Sequence, residues 1–116
     1  MFNLSVPWST IEGMSAHDQI NAANTEAARV AGWPELSGST AQVAWANTIR
    51  ADKMREFDAA MAAGPMPDSD RDLFRDALLR ETSASEWIDG RSHPWQALSI
   101  CRLSDDERAI LFAKHT

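Results

Sequence analysis

The sequence has no tyrosine and a single cysteine, Cys101, in 116 residues. One cysteine excludes an internal disulfide framework and a cysteine-built zinc cage, and it fits a reducing compartment. Set in an apolar run between Ile100 and Arg102, Cys101 is expected to be a small buried hydrophobe. Long apolar runs are also missing: stretches such as Ala59 to Ala63 are far too short to span a bilayer, so no membrane-crossing helix is expected. Met1 to Thr10 lacks a basic start and an apolar stretch, so no secretory signal is expected and the chain is assigned to the cytoplasm. The five glycines are scattered, which leaves no glycine-rich loop to cradle a phosphate.

Positive charge is in short supply. Eleven lysines and arginines face seventeen acids, for a net charge of −6. The acids are interspersed: residues 1–38 carry four acids and one base, 39–65 three of each, and 66–116 ten acids and seven bases. Such a chain repels a phosphate backbone unless its bases gather on one face, so direct nucleic-acid binding is disfavoured and a basic protein surface is the natural electrostatic partner. The histidines, His17, His93 and His115, share no ligand spacing with one another or with a cysteine pair. No metal or other cofactor is expected. Asp105 and Asp106 are adjacent carboxylates, but charge placed at a helix start explains them better than acid–base chemistry. The chain is therefore not expected to be an enzyme.

What the sequence has in abundance is helix-start chemistry. A Ser oxygen at an N-cap accepts an orphan N–H while an acid or amide three residues on reaches back. That spacing occurs at Ser9–Glu12, Ser15–Asp18, Ser39–Gln42, Ser69–Asp72, Ser83–Glu86 and Ser104–Glu107. Gly32 and Gly64 are each followed closely by proline, Pro34 and Pro65, and read as helix stops, with Gly90 in a similar part. Helices are predicted at about 15–31, 39–63, 69–81, 84–89, 94–102 and 105–114. No segment reads as a strand. The fold class that follows is all-α: one domain over 1–116, a compact bundle of about five to six helices with short connections.

The first helix places Ile20, Ala23, Ala27 and Val30 at packing spacing. The second, the longest, aligns Val43, Ala46, Met54, Phe57 and Met61, widened by Ile49 and Trp45, with Asp52, Arg55, Glu56 and Asp58 on a solvated face. The later helices offer Leu73, Phe74, Leu78, Trp87, Trp95, Leu98, Ile110, Leu111 and Phe112, and the aromatics are expected in the core. Arg71, Arg75 and Arg80 interleave with Asp72, Asp76 and Glu81 and read as an intrahelical ion-pair network. One residue breaks the apolar stripe of the second helix. Arg50 either snorkels out to a carboxylate such as Glu35, Glu86 or Asp89, or lies in a cleft where it binds an anion.

Two stretches are familiar. Gly38-Ser39-Thr40-Ala41-Gln42-Val43-Ala44-Trp45-Ala46-Asn47-Thr48-Ile49-Arg50 resembles a GSxxQxxWAxxIR signature of proteins from bacteria, phages and other mobile elements, and Ser83-Ala84-Ser85-Glu86-Trp87-Ile88-Asp89-Gly90-Arg91 resembles its companion WIDxR element. Ser39, Gln42, Trp45, Arg50, Trp87 and Asp89 are its structural residues. Physically, Gly38 and Ser39 open a helix, Gln42 closes the cap, Trp45 enters the core, and Arg50 is expected to clamp the second element through Asp89. The resemblance carries no catalytic residue. It implies a small mobile-element protein similar to the anti-CRISPR inhibitors, which binds and blocks a bacterial defence complex such as a CRISPR-Cas nuclease or surveillance component. In that reading Asp68, Asp70, Asp105, Asp106 and Glu107 meet basic patches on the partner. Two alternatives remain: a nucleic-acid accessory module built on Arg71, Arg75, Arg80, Arg91 and Arg102, and a structural or homodimerising helical domain.

Overall fold

The computed structural model describes residues 15–113, which form six helices: α1 (Ala16–Ala31), α2 (Thr40–Ala63), α3 (Asp68–Leu79), α4 (Ala84–Asp89), α5 (Trp95–Ile100) and α6 (Asp105–Ala113). Among the described residues the only β pairing is one parallel bridge, between Ser37 and Ser83. The expected all-α bundle of five to six helices is what the described residues form. No described helix is long and apolar enough to cross a membrane.

Three of the six capping signals work as read. Ser15–Asp18 and Ser39–Gln42 form reciprocal boxes, and at α6 the Ser104 N–H donates to Glu107 Oε1 while Ser104 Oγ accepts the Glu107 N–H. Two do not. Pro67 opens α3, its carbonyl accepting the Asp70 and Arg71 N–H groups, which leaves Ser69 inside the helix. Ser83 caps nothing with its side chain: its N–H donates to Glu81 Oε2 at 2.9 Å and its Oγ meets Ser85 Oγ at 3.0 Å. Ser9–Glu12 lies outside the described residues. Of the stop signals, only Gly32 is left-handed (φ 76°), and its N–H bonds back to α1. Gly64 ends α2 in an extended conformation. Gly90 is needed for room instead: a Cβ there would fall 2.7 Å from Leu98 Cδ2.

α2 carries the core. Ala46, Ile49, Met54 and Phe57 are buried against Leu36, Leu78, Ala84, Trp87, Trp95 and Leu98. Trp95 receives Phe57 and Phe74 edge-on, at centroid distances of 4.9 and 5.7 Å. A smaller cluster of Ala77, Leu103 and Leu111 joins it through Phe74. Glu81, in the α3–α4 turn, stitches this half together. Its Oε1 accepts from Arg102 at 2.6 Å, its Oε2 from the Ser83 N–H at 2.9 Å, and its carbonyl from the buried Trp87 indole at 2.9 Å. The arginines of α3 are thus less intrahelical than expected. Arg71 does pair within α3, with Asp68 and Asp72, but Arg75 reaches Asp58 of α2 and Arg80 reaches Glu107 of α6.

Four sequence expectations are corrected here. Cys101 is exposed, at the C-cap of α5. Phe112 and Ile110 face outward, because α6 turns Leu111 inward and only one side of so short a helix can meet the core. Trp45 is 44% exposed, since it sits on the face of α2 that carries Asp52 and Glu56, which no described helix covers. The apolar stripe of α1 also faces outward, for a reason that concerns the site.

Gly38 holds the most constrained backbone, with φ at 148° and a position where a Cβ would lie 3.0 Å from Gln42 Oε1 and 3.1 Å from Ala84 Cβ. Gly38→Ala should lower stability by about 2 kcal/mol through strain at this φ and crowding of the cap. Urea unfolding measures it, and an unchanged midpoint would contradict the pairing described. A second prediction concerns acid. The Arg80 guanidinium, with the Ser104 N–H, holds the Glu107 carboxyl at about 2, far below its ordinary 4.5. The folded state therefore binds this proton less readily than the unfolded chain, so the stabilisation is complete above about pH 5 and lost as pH falls toward 2. Glu107→Gln should be less stable than the parent at pH 7, with the two thermal midpoints converging near pH 2.

Candidate functional site

Residues 38–50 and 83–91 meet, though not through Arg50 and Asp89. Ser37 donates its N–H to the Thr82 carbonyl (2.7 Å) and accepts the Ala84 N–H at its own carbonyl (2.8 Å). These bonds lay the segment before α2 along the segment before α4, and Gly38 permits the close approach to Ala84. Across the exposed side, the Arg91 guanidinium stacks on the Trp45 ring at 5.1 Å, joining the last residue of one element to the tryptophan of the other. Ser39 and Gln42 cap α2, Trp87 lies in the core, and Asp89 is exposed at the end of α4.

Arg50 does not clamp Asp89. Its relative exposure is 1%, and it points the other way round α2, toward the chain between α1 and α2. Nη1 donates to the Pro34 carbonyl at 2.7 Å and Nη2 to Asn47 Oδ1 at 2.9 Å, while the guanidinium lies 5.2 Å from the Trp33 ring centroid. Nε is buried and has no partner among the described residues. Burial pushes the guanidinium down to about 10, since desolvation disfavours the charged form. None of the carboxylates Glu35, Glu86 and Asp89 pairs with it.

The Arg50 side chain lines a cleft of about 420 Å³ between the C-terminal half of α1, the Trp33–Leu36 segment and the first turns of α2. Ala28, Trp33, Leu36 and Val43 supply its apolar walls, and Asn47 and Thr25 its polar ones. Glu35 and Arg29 also line it, Arg29 being paired with Glu26. Sequence reasoning singled out Arg50 but missed Asn47, Trp33 and the carbonyl of Pro34. The usable signal was Asn47 three residues before Arg50, two polar side chains on neighbouring turns of an otherwise apolar arc.

Above the cleft, α1 is seated on α2 by polar side chains. Thr48 Oγ1 donates to Asn21 Oδ1 (2.7 Å) and accepts from Asn24 Nδ2 (3.1 Å), and Asn47 Nδ2 donates to Thr25 Oγ1 (3.3 Å). Of α1, only Ala28 is fully buried. The stripe of Ile20, Ala23, Ala27 and Val30 lies roughly 130° round the helix from this seam. It faces outward, with Ile20 50% and Val30 72% exposed.

The predicted acidic residues do not form one patch. Asp68 and Asp70 open α3, whereas Asp105, Asp106 and Glu107 open α6, which meets the opposite end of α3 through Arg80. Over the twelve residues of α3 the two groups stand roughly 18 Å apart. Asp70 is buried at 3% exposure, and Glu107 is held by Arg80 and its own cap. Asp68, Asp105 and Asp106 are exposed, with Asp68 paired to Arg71 and Asp105 to Arg108. Among the described residues no three His, Cys, Asp or Glu side chains converge as a metal site. No family model, curated protein or solved structure matches this chain.

Replacing Arg50 by Met should reveal the burial directly. The Pro34 carbonyl and Asn47 Oδ1 would lose their donors, and we expect a loss of about 2 kcal/mol in thermal or urea unfolding. Unchanged stability would place the guanidinium in solvent instead.

Proposed function

We propose that the chain is a non-catalytic protein-binding domain of mobile-element origin that inhibits a bacterial defence complex in the cytoplasm of its host, docking through the outward face of α1. The observation that carries this reading is the inverted seating of α1. An amphipathic helix ordinarily buries its apolar stripe. Here the polar stripe is bonded to α2, and Ile20, Ala23, Ala27 and Val30 are presented to the outside. A helix face of this kind suits a hydrophobic groove on a partner. The exposed acids Asp68, Asp105 and Asp106 add negative charge that speeds encounter with a basic surface. The resemblance of 38–50 and 83–91 to mobile-element proteins supplies the class of partner.

The arginines named for a nucleic-acid module give that alternative little support. Arg80 and Arg102 pair with Glu107 and Glu81, Arg71 and Arg75 with aspartates, and Arg91 with Trp45.

The test is capture from a bacterial host with tagged protein, read by mass spectrometry, beside the double variant Ile20→Glu, Val30→Glu. Losing two buried aliphatic contacts amounts to about 3 kcal/mol, on the order of a hundredfold in affinity. The expected result is stoichiometric capture of a defence complex by the parent, lost by the variant, with equal thermal midpoints. Capture of nothing above background, or equal capture by both proteins, would overturn the proposal. So would a parent that is dimeric by light scattering and a variant that is monomeric, which would assign the face to a second copy.

A further inference from the structure

We infer that the cleft beside Arg50 is a binding site for a small organic carboxylate, held by the guanidinium and packed on Trp33, Leu36 and Val43. The inference does not depend on the docking of α1.

The argument begins with charge. A buried cation is ordinarily matched by an anion, because removing it from water costs several kcal/mol. Arg50 is 1% exposed and among the described residues meets only neutral oxygens, those of Pro34 and Asn47, and the Trp33 ring. A guanidinium has five N–H donors. Two are used here, so three remain, one of them the buried Nε–H. Nor is the side chain free to snorkel, since its two bonds and the indole fix it in place. A structural arginine would be expected to exhaust its fork on a carboxylate. This one is preorganised, desolvated and under-bonded at the wall of a cleft.

The cleft sets the ligand class. At about 420 Å³ it suits a molecule of a single ring or a short chain. Its walls are mostly hydrocarbon and indole, with polar groups from Arg50, Asn47 and Thr25 and the charged Arg29 and Glu35, Arg29 being paired with Glu26. That pattern matches a ligand with one planar anionic end and an apolar body, and a carboxylate fits the flat fork of a guanidinium. Glu35 also lines the cleft, and its carboxylate opposes an anionic ligand at the mouth. Glu35→Gln should therefore strengthen binding.

The probe is sodium benzoate, with benzamide as its uncharged isostere, titrated into the full chain and followed by the Trp33 indole and Arg50 Nε–H resonances. Millimolar benzoate should shift both signals and raise the thermal midpoint, and benzamide should bind at least tenfold more weakly. Glu35→Gln should tighten benzoate severalfold, and Arg50→Lys should weaken it at least tenfold. Where Arg50→Lys does not fold, the benzoate–benzamide comparison on the parent decides. Equal binding of the two probes, or no shift at Trp33 and Arg50 with millimolar benzoate, would overturn the assignment.

Discussion

Most of this fold leans on α2, whose middle turns are buried over a wide arc. One arc of the helix, Ala46, Ile49, Met54 and Phe57, faces the aromatic core formed with α3, α4 and α5. A neighbouring arc, Asn47, Thr48 and Ala51, receives α1. The face carrying Trp45, Asp52, Arg55 and Glu56, and with it Asp58, Ala59 and Ala62 in the last turns, is left exposed. A helix with two interfaces has to make them different, or the elements packed on it would exchange places. Here the difference is chemical. The core side is apolar and nondirectional, and the α1 side is read by amides and hydroxyls whose geometry admits one register.

That division explains the strength of each half. Burial of Phe57, Trp87 and Trp95 contributes roughly 2–3 kcal/mol per side chain, whereas the bonds that seat α1 contribute about 1 kcal/mol each. Helix α1 is thus the more weakly held layer, and its position is specified more than it is stabilised. Its exposed apolar stripe does nothing for the stability of the described fold, which is why it reads as a surface kept for something else.

Helix positions were legible in the sequence because capping is local. A serine and the residue three places on decide a helix start with little reference to the rest of the chain, and Ser15, Ser39 and Ser104 do so. Facing was less legible. The periodicity of α1 is correct, but period does not say which side meets a neighbour when the neighbour offers Asn47 and Thr48 in place of leucines. The same limit hid the partner of Arg50. Its position in the apolar arc announced a buried cation, yet besides Asn47 the groups it meets are a backbone carbonyl and an indole brought there by the Gly32 turn, and no side-chain pattern encodes a carbonyl. Ser83 misled because its capping pattern is intact while its N–H is claimed by the Glu81 carboxylate and its hydroxyl by Ser85.

The cleft and the outward face of α1 are joined by one side chain. Asn47 accepts from Arg50 through Oδ1 and donates to Thr25 of α1 through Nδ2, so a single amide plane orients both the buried guanidinium and the helix above it. An amide cannot rotate to favour one partner without disturbing the other, because its donor and acceptor are fixed on opposite sides of the same plane. Arg50 at the same time anchors Pro34, and so the chain that leaves α1 through Gly32. Helix α1 is thus held at both ends of a short network centred on a charge that has no counter-charge among the described residues.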